Sequence, residues 1–139
     1  MKNKILIIDD EKDIVQTLKM IFSFEGYDVI GVHSAIEGLN IIKKENISSV
    51  LLDIRMPGMD GITCLPKIKE LKLEIPVIMI SGVATIDDAI AAIKMGAFDL
   101  LEKPLDKNRI LISIRNALSI EKLYKKIHPS RKNLQKNMK

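Results

Sequence analysis

Charged and hydroxyl side chains stand directly after four short apolar runs of this sequence. They are Asp9-Asp10-Glu11, Asp53, Ser81-Gly82 and Lys103-Pro104. Carboxylates held side by side repel one another unless a cation lies among them, and Mg²⁺ prefers oxygen ligands of this kind. A carboxylate can also act as a nucleophile and form an aspartyl-phosphate. If these groups meet in space, they provide the parts of a metal-assisted phosphoryl-transfer site.

The apolar runs alternate along the chain with segments of helical period. The strand-like runs are 4–8, 28–32, 49–52, 76–80 and 98–102. The helical segments contain Ile14 to Phe22, Leu39 and Ile42, Leu65 to Leu71, residues 84–95, and a stretch from about Lys107. Strands separated by helix-sized segments indicate crossover connections and a parallel sheet with helices on both faces. The predicted fold class is therefore α/β, doubly wound, with the mixed run 28–32 at an edge.

The carboxyl ends of parallel strands meet at one edge of such a sheet, where ligands of open α/β folds bind. We therefore expect the acidic side chains, Ser81 and Lys103 to converge there. In that arrangement Asp53 is the candidate nucleophile, and Lys103 and a metal ion neutralise the phosphoryl oxygens. Ser81 can donate a hydrogen bond to a remaining oxygen.

Each motif also has a simpler interpretation. A single Asp after a strand is usually a helix cap or a turn former, and Lys-Pro and Ser-Gly are common turn dipeptides. Those interpretations do not explain why four strand ends carry polar side chains together. Convergent polar groups therefore favour the functional interpretation of the set.

The order, spacing and local sequence of these motifs resemble the receiver domain of two-component response regulators. The resemblance covers residues 4 to about 120 and includes the loop LLDIRMPGMDG at 51–61. The stretch from Ser81 to Pro104 is similar to receivers of nitrogen-regulation-type activators that act with sigma-54 polymerase. The resemblance implies a flavodoxin-like five-stranded sheet of order 2-1-3-4-5 with five helices.

The same resemblance implies roles for individual residues. Asp53 is the phosphoacceptor, Asp10, Asp53 and the main-chain carbonyl of Arg55 bind Mg²⁺ directly, Asp9 acts through water, and Ser81 and Lys103 bind the phosphoryl group. The expected donor is a phosphohistidine on a sensor histidine kinase or a phosphotransfer protein. The domain would promote its own phosphorylation and dephosphorylation without being an enzyme for another substrate. The expected output is transcription, with a stand-alone phosphorelay shuttle as the alternative.

One position departs from the family pattern. Many receivers have Tyr or Phe three residues before the phosphate-binding Lys, where this chain has Leu100. We therefore expect the segment Val83–Ala97 to move on activation instead of a ring. Strand alternation predicts that Phe98 shares a face with Leu100, as a core residue.

Three other classes fit the sequence less well. Phosphatases of the haloacid-dehalogenase type place Asp-x-Asp after the first strand, whereas this chain has adjacent Asp9-Asp10 there. A flavin or nucleotide binder needs glycines and amides in the first strand-to-helix turn, which here is acidic. A degenerate receiver that serves only as a scaffold would not need the complete set of site residues.

Composition limits the remaining possibilities. A chain of 139 residues with one cysteine, Cys64, and no signal-peptide pattern is expected to be a cytoplasmic single domain without disulfides. The chain has no apolar run long enough to span a membrane. Residues 122–139 hold seven basic residues and no acid, which leaves 15 basic against 18 acidic residues in 1–121. The pI of 9.1 therefore reflects a basic tail, and no direct nucleic-acid binding is expected.

The last helical segment carries an apolar stripe beyond what a compact receiver needs. Its members are Ile110, Ile114, Ala117, Leu118, Ile120, Leu123, Tyr124 and Ile127. We expect residues 1–121 to form the receiver domain and 122–139 to form a basic helical extension and tail that ends its helix at Pro129. The stripe predicts a homodimer through this helix.

Overall fold

The computed structural model describes residues 2–127, which form five strands and five helices in alternation. The strands are β1 (Lys4–Ile8), β2 (Asp28–Val32), β3 (Ser49–Asp53), β4 (Val77–Ser81) and β5 (Asp99–Glu102). The helices are α1 (Lys12–Phe24), α2 (Ala35–Lys44), α3 (Gly61–Leu71), α4 (Ile86–Lys94) and α5 (Lys107–Ile127).

All strands are parallel, in the order β2-β1-β3-β4-β5. The predicted doubly wound, flavodoxin-like fold is confirmed, and β2 lies at an edge as its mixed composition indicates. The register places Asp53 opposite Ile80 and Ser81 opposite Glu102, so the carboxyl ends of β3, β4 and β5 are level. This alignment gives the loops after the strands a common edge.

Alternating strand residues pack into one apolar cluster on each face of the sheet. Helices α2, α3 and α4 cover the face that carries Leu6, Leu52 and Met79. Helices α1 and α5 cover the opposite face, which carries Ile7 and Ile78. Strands β1, β3 and β4 are therefore buried almost throughout, because helices exclude water from both sides.

Side-chain caps fix where the helices beside the functional edge begin. Asp60 Oδ1 accepts a hydrogen bond from the Thr63 N–H at 2.9 Å at the start of α3. Thr85 and Asp88 form a reciprocal capping box at the start of α4. Such caps supply partners for amide groups that the first turn leaves unpaired. The first turn of α4 is therefore held at a defined position after β4.

The prediction that Phe98 and Leu100 share a face is wrong. Leu100 packs against the cluster beneath α2, α3 and α4, whereas Phe98 packs against the cluster beneath α1 and α5. Phe98 precedes β5, which begins at Asp99, so strand alternation does not govern its direction. The prediction that it contributes to the core holds, since it packs against buried residues.

Helix α5 continues without a break from Lys107 to Ile127, past Ser119, in agreement with its apolar period. Its first part is seated on the sheet, with Ile110 and Ile114 buried. Further along, the exposed fractions are 53% for Ile120, 52% for Leu123 and 63% for Ile127. The stripe therefore divides into a part that belongs to the core and a part that faces outward.

The predicted boundary between residues 121 and 122 falls inside α5 and stays a prediction. The tail that was expected after Pro129 lies outside the described residues. Although α5 has 21 residues, neither it nor another helix among residues 2–127 is long and apolar enough to cross a membrane.

Candidate functional site

Three aspartates form a compact cluster at the carboxyl edge of the sheet. Asp9 and Asp10 follow β1, Asp53 ends β3, and one carboxylate oxygen from each lies within 4.8 Å of the other two. The exposed fractions of Asp9 and Asp53 are 0% and 2%. Carboxylates at this spacing suit a small divalent cation with oxygen ligands.

Lys103 follows β5 and places its ammonium group among these acids. Its Nζ lies 3.1 Å from Asp9 Oδ2, 2.7 Å from Glu11 Oε1 and 3.4 Å from Asp53 Oδ2. The Lys103 N–H donates to the Ser81 carbonyl at 2.8 Å, which continues the pairing of β4 with β5. One ammonium group is therefore the counter-ion of three carboxylates.

The acidic surroundings change the proton affinity of both central groups. Burial raises the pKa of Asp53 from its ordinary 3.8 to about 7, and nearby Asp9 adds to the shift, while Lys103 and the Arg55 N–H oppose it. Burial alone would lower the pKa of Lys103, but its contacts with Glu11, Asp9 and Asp53 outweigh that effect and raise it. Lys103 therefore stays charged, whereas Asp53 is only partly ionised near neutral pH.

One buried polar atom of the site, Ser81 Oγ, has no hydrogen-bond partner among the described residues, and the buried Asp9 Oδ2 has only the shared Lys103 ammonium at 3.1 Å among those residues. Buried polar atoms are almost always hydrogen-bonded, so exceptions indicate where another group binds. The carboxylate oxygen of Asp9 suits a cation. The Ser81 hydroxyl and the Lys103 ammonium each suit one phosphoryl oxygen. The side chains present therefore fit Mg²⁺ together with a phosphoryl group.

The loop after β3 folds closely over the main chain of Asp53. The Gly61 N–H donates to the Ile54 carbonyl at 2.8 Å. A Cβ at Gly61 would collide with the Asp53 carbonyl oxygen and come within 2.9 Å of Ile54 Cα. Gly58, with φ of +77°, provides the left-handed turn in the same loop. The two glycines let the loop close over the end of β3.

A sequence profile described as the response regulator receiver domain matches residues 5–115, a range that contains every strand-end motif of the site. This chain belongs to the response regulator receiver domain family. The receiver domain therefore accounts for the five-stranded fold and the acidic edge together.

Relatives of this receiver domain include transcriptional regulators. An NtrX-like response regulator of Rickettsia bellii (strain RML369-C) is 39% identical over 86% of this chain and 25% of its own length. The transcriptional regulatory protein GlrR of Escherichia coli (strain K12) is 34% identical over 82% of this chain and 26% of its own length. The chain thus spans about a quarter of the length of these curated relatives.

Solved structures show the same architecture. A CheY-like receiver domain protein of Methanospirillum hungatei JF-1 matches with a TM-score of 0.85 and 32% identity, over 88% of this chain and 98% of that one. NtrX of Brucella abortus also matches with a TM-score of 0.85, at 36% identity, over 91% of this chain and 29% of that one.

The receiver domain brings five of the sequence-predicted site residues to one place: Asp9, Asp10, Asp53, Ser81 and Lys103. Arg55 lies beside them, and its N–H donates to Asp53 Oδ1 at 3.4 Å. The role of its carbonyl as a metal ligand stays a prediction, as do the chemical roles of the other five residues.

Three further contacts at the site were not predicted from the sequence. Glu11 is an ion-pair partner of Lys103, His33 Nδ1 lies 3.2 Å from the main-chain oxygen of Asp9, and Asp88 pairs with Arg55. The sequence did carry a signal for His33, because it comes directly after β2, and β2 lies next to the strand β1 that precedes Asp9. Asp88 had no comparable signal, because it comes from a helix instead of a strand end.

Proposed function

We propose that this receiver domain accepts a phosphoryl group on Asp53 from a phosphohistidine donor, with Mg²⁺ in the acidic cluster. The observation that supports this most is the position of the buried Asp53 carboxylate, close to those of Asp9 and Asp10 and 3.4 Å from the Lys103 ammonium. A turn-forming or capping Asp needs none of these neighbours.

In the proposed reaction, Asp53 is the nucleophile. One ionised carboxylate oxygen attacks phosphorus, the P–N bond to the donor histidine breaks, and the imidazole keeps the electron pair of that bond. The product is a mixed anhydride that carries a phosphoryl group on Asp53. Lys103 stabilises negative charge on one phosphoryl oxygen, and the Ser81 hydroxyl donates a hydrogen bond to another.

The proposed metal ligands are the carboxylates of Asp10 and Asp53 and the main-chain carbonyl of Arg55, with Asp9 acting through water. When bound, Mg²⁺ neutralises negative charge shared by the nucleophile and the phosphoryl oxygens. Lys103 supplies only one positive charge to the acids it contacts. Ionisation of Asp53, whose pKa is raised to about 7, is therefore easier beside a second cation.

Receiver domains of response regulators interact with histidine kinases or phosphotransfer proteins, and we propose such a protein as the donor here. The proposed output is control of transcription, because relatives include GlrR and the regulatory protein AtoC of Escherichia coli (strain K12). A stand-alone phosphorelay shuttle is the alternative. Neither nucleic acid nor a membrane is among the partners proposed for this chain, and its cytoplasmic location stays a prediction.

The proposed moving element is residues 83–97, which include α4. Leu100 occupies the position of the family's aromatic switch, and beside it lies a groove of about 300 Å³ between α4 and β5. Small side chains on α4, Ala89 and Ala92, line this groove. They leave room for α4 to shift against β5 without rotation of a ring.

A homodimer through the outward part of α5 is proposed as well. Ile120, Leu123 and Ile127 are exposed and follow one another at intervals of three and four residues. That spacing places them on one side of the helix, as in the seam of a two-stranded coiled coil.

The decisive experiment is treatment with acetyl phosphate followed by intact-mass and peptide mass spectrometry. We expect one phosphoryl group on Asp53 in the presence of Mg²⁺ and none with EDTA. Asp53→Asn keeps the size of the side chain but removes the attacking charge, so it should stay unlabelled. A wild-type chain without label under all conditions would favour a scaffold role, and a label that persists in Asp53→Asn would place the chemistry at another residue.

A further inference from the structure

Arg55 connects the end of the phosphoacceptor strand to the first turn of α4. Its N–H donates to Asp53 Oδ1 at 3.4 Å, and its guanidinium Nη2 lies 2.6 Å from Asp88 Oδ2. The exposed fractions of the two side chains are 57% for Arg55 and 13% for Asp88. Among residues 2–127, this is the one ion pair that joins α4 to another part of the domain.

Asp88 also holds the start of α4. Its Oδ2 accepts the Thr85 N–H at 3.3 Å, and its own N–H donates to Thr85 Oγ1 at 3.0 Å. A carboxylate in the first turn also interacts favourably with the helix dipole. The Asp88 carboxylate therefore serves the helix cap and the Arg55 guanidinium at once, and a change at one contact affects the other.

We propose that the Arg55–Asp88 ion pair is a tether that holds the first turn of α4 in its resting position and is released when Asp53 is phosphorylated. This inference rests on the proposed function. A phosphoryl group carries about −1.5 to −2 charge at pH 7 and offers three strong acceptor oxygens. It would arise two residues from Arg55, where it competes with Asp88 for the guanidinium.

The chemistry of the two partners favours this exchange. A guanidinium binds phosphate oxygens with two parallel hydrogen bonds, which a single Nη2 contact to Asp88 does not match. The Arg55 side chain is more than half exposed and free to turn, whereas the Asp88 side chain in the first turn of α4 is only 13% exposed. Release therefore leaves Asp88 with its cap contacts alone and loosens the first turn.

The resting tether is tested without phosphodonor, by amide hydrogen exchange across residues 85–89. The variants are Arg55→Ala, Asp88→Asn and the double variant. Asn keeps a side-chain oxygen that can accept the Thr85 N–H, so Asp88→Asn mainly removes the ion pair. The matched control is Asp87→Asn, since Asp87 is an exposed acid of the same turn without an ion pair among the described residues.

We expect exchange in residues 85–89 to become about three- to tenfold faster in each single variant, which corresponds to about 0.7–1.4 kcal/mol. The double variant should be no faster than the faster single variant, and the control should stay within about twofold of wild type. Additive effects, no acceleration, or equal acceleration by Asp87→Asn would overturn the tether.

Release is tested on the same chains after labelling with acetyl phosphate and Mg²⁺. Labelled wild type should exchange about as fast in residues 85–89 as unlabelled Asp88→Asn, and labelling should accelerate Asp88→Asn by less than about twofold. Release would be overturned if phosphorylation did not accelerate exchange in wild type, or if it accelerated exchange in Asp88→Asn as much as is expected for wild type. Failure of wild type to take up label would refute the proposed function, while the donor-free comparison still decides the tether.

Discussion

Replacement of Asp53 by Asn should stabilise the metal-free receiver domain at neutral and alkaline pH. Asp53 is 2% exposed, lies in the cluster with Asp9 and Asp10, and has, among residues 2–127, only the shared Lys103 ammonium at 3.4 Å as a counter-ion. Asn keeps the shape of the side chain and removes the charge, so the repulsion disappears while the packing stays.

The magnitude follows from the raised pKa of Asp53. Between its ordinary value of 3.8 and its folded value of about 7, the native protein keeps a proton that the unfolded chain has released. The native state then binds more protons, so the free energy of unfolding falls as pH rises from about 4 to about 7. At 1.36 kcal/mol per tenfold change in proton affinity, with allowance for the shared contact with Lys103, the loss is about 2–4 kcal/mol.

The assay is urea unfolding in EDTA at several pH values from 4 to 8. Asp53→Asn should match wild type within about 1 kcal/mol at pH 4 and exceed it by about 2–4 kcal/mol at pH 8. The control is Asp13→Asn, which removes an exposed acid in the first turn of α1 and should show no such rise with pH. Mg²⁺ at pH 8 should stabilise wild type more than Asp53→Asn, because ligand binding to the native state adds stability.

Two results would refute this reasoning. If Asp53→Asn were no more stable than wild type at pH 8, burial and repulsion by Asp9 would not dominate the energetics of Asp53. If its advantage were the same at pH 4 and pH 8, the cause would be packing or hydrogen bonding instead of ionisation.

The other predictions concern the metal, the phosphoryl group and the partner surface. Asp10→Ala should leave the free energy of unfolding in urea within about 1 kcal/mol of wild type or raise it, yet lower the rate of Asp53 labelling by acetyl phosphate at least about tenfold. Labelling at the wild-type rate would remove Asp10 from the metal site. Lys103→Ala should still bind Mg²⁺, measured by calorimetry, but phosphorylation of this variant should no longer accelerate amide hydrogen exchange in α4. Acceleration equal to that of wild type would exclude Lys103 from the switch. A chain ending at Ser119 should sediment as a monomer under conditions where the 139-residue chain dimerises. Dimerisation of both chains would exclude the outward part of α5 as the interface. If the 139-residue chain is a monomer both with and without the phosphoryl group, the dimer proposal is wrong.

The fold class was predictable because it follows from the hydrophobic period of the sequence. The convergence of the strand-end residues was predictable because the strands of such a fold are parallel. Uniformly apolar runs predicted buried strands, and parallel strands necessarily end at one edge. Asp53, Ser81 and Lys103 therefore lie close together as long as the ends of β3, β4 and β5 are aligned to within a residue or two. The confirmed strand order came from the family resemblance, since helix and strand periods alone do not determine it.

The features that were not predicted depend on how far a long side chain reaches and on the residue at which a helix or strand begins. Asp88 meets Arg55 because the capping box fixes the first turn of α4 and because a long side chain crosses from the loop after β3. Phe98 was assigned to the wrong face because β5 begins one residue later than its apolar run. The division of α5 into buried and outward parts depends on where the sheet ends beneath it, and an apolar stripe does not show that position.

The charge balance explains why a cation and phosphorylation belong together in the proposed mechanism. With Asp53 ionised, four carboxylates, including Glu11, face the single ammonium of Lys103. The phosphoryl group would replace the one charge of Asp53 with about two, which increases an excess that already raises the pKa of Asp53. A divalent cation lowers that excess by two and leaves Lys103 less strongly held by its three acids. Lys103 can then move towards the phosphoryl oxygens, so the contact that stabilises the resting site becomes the contact that detects the product.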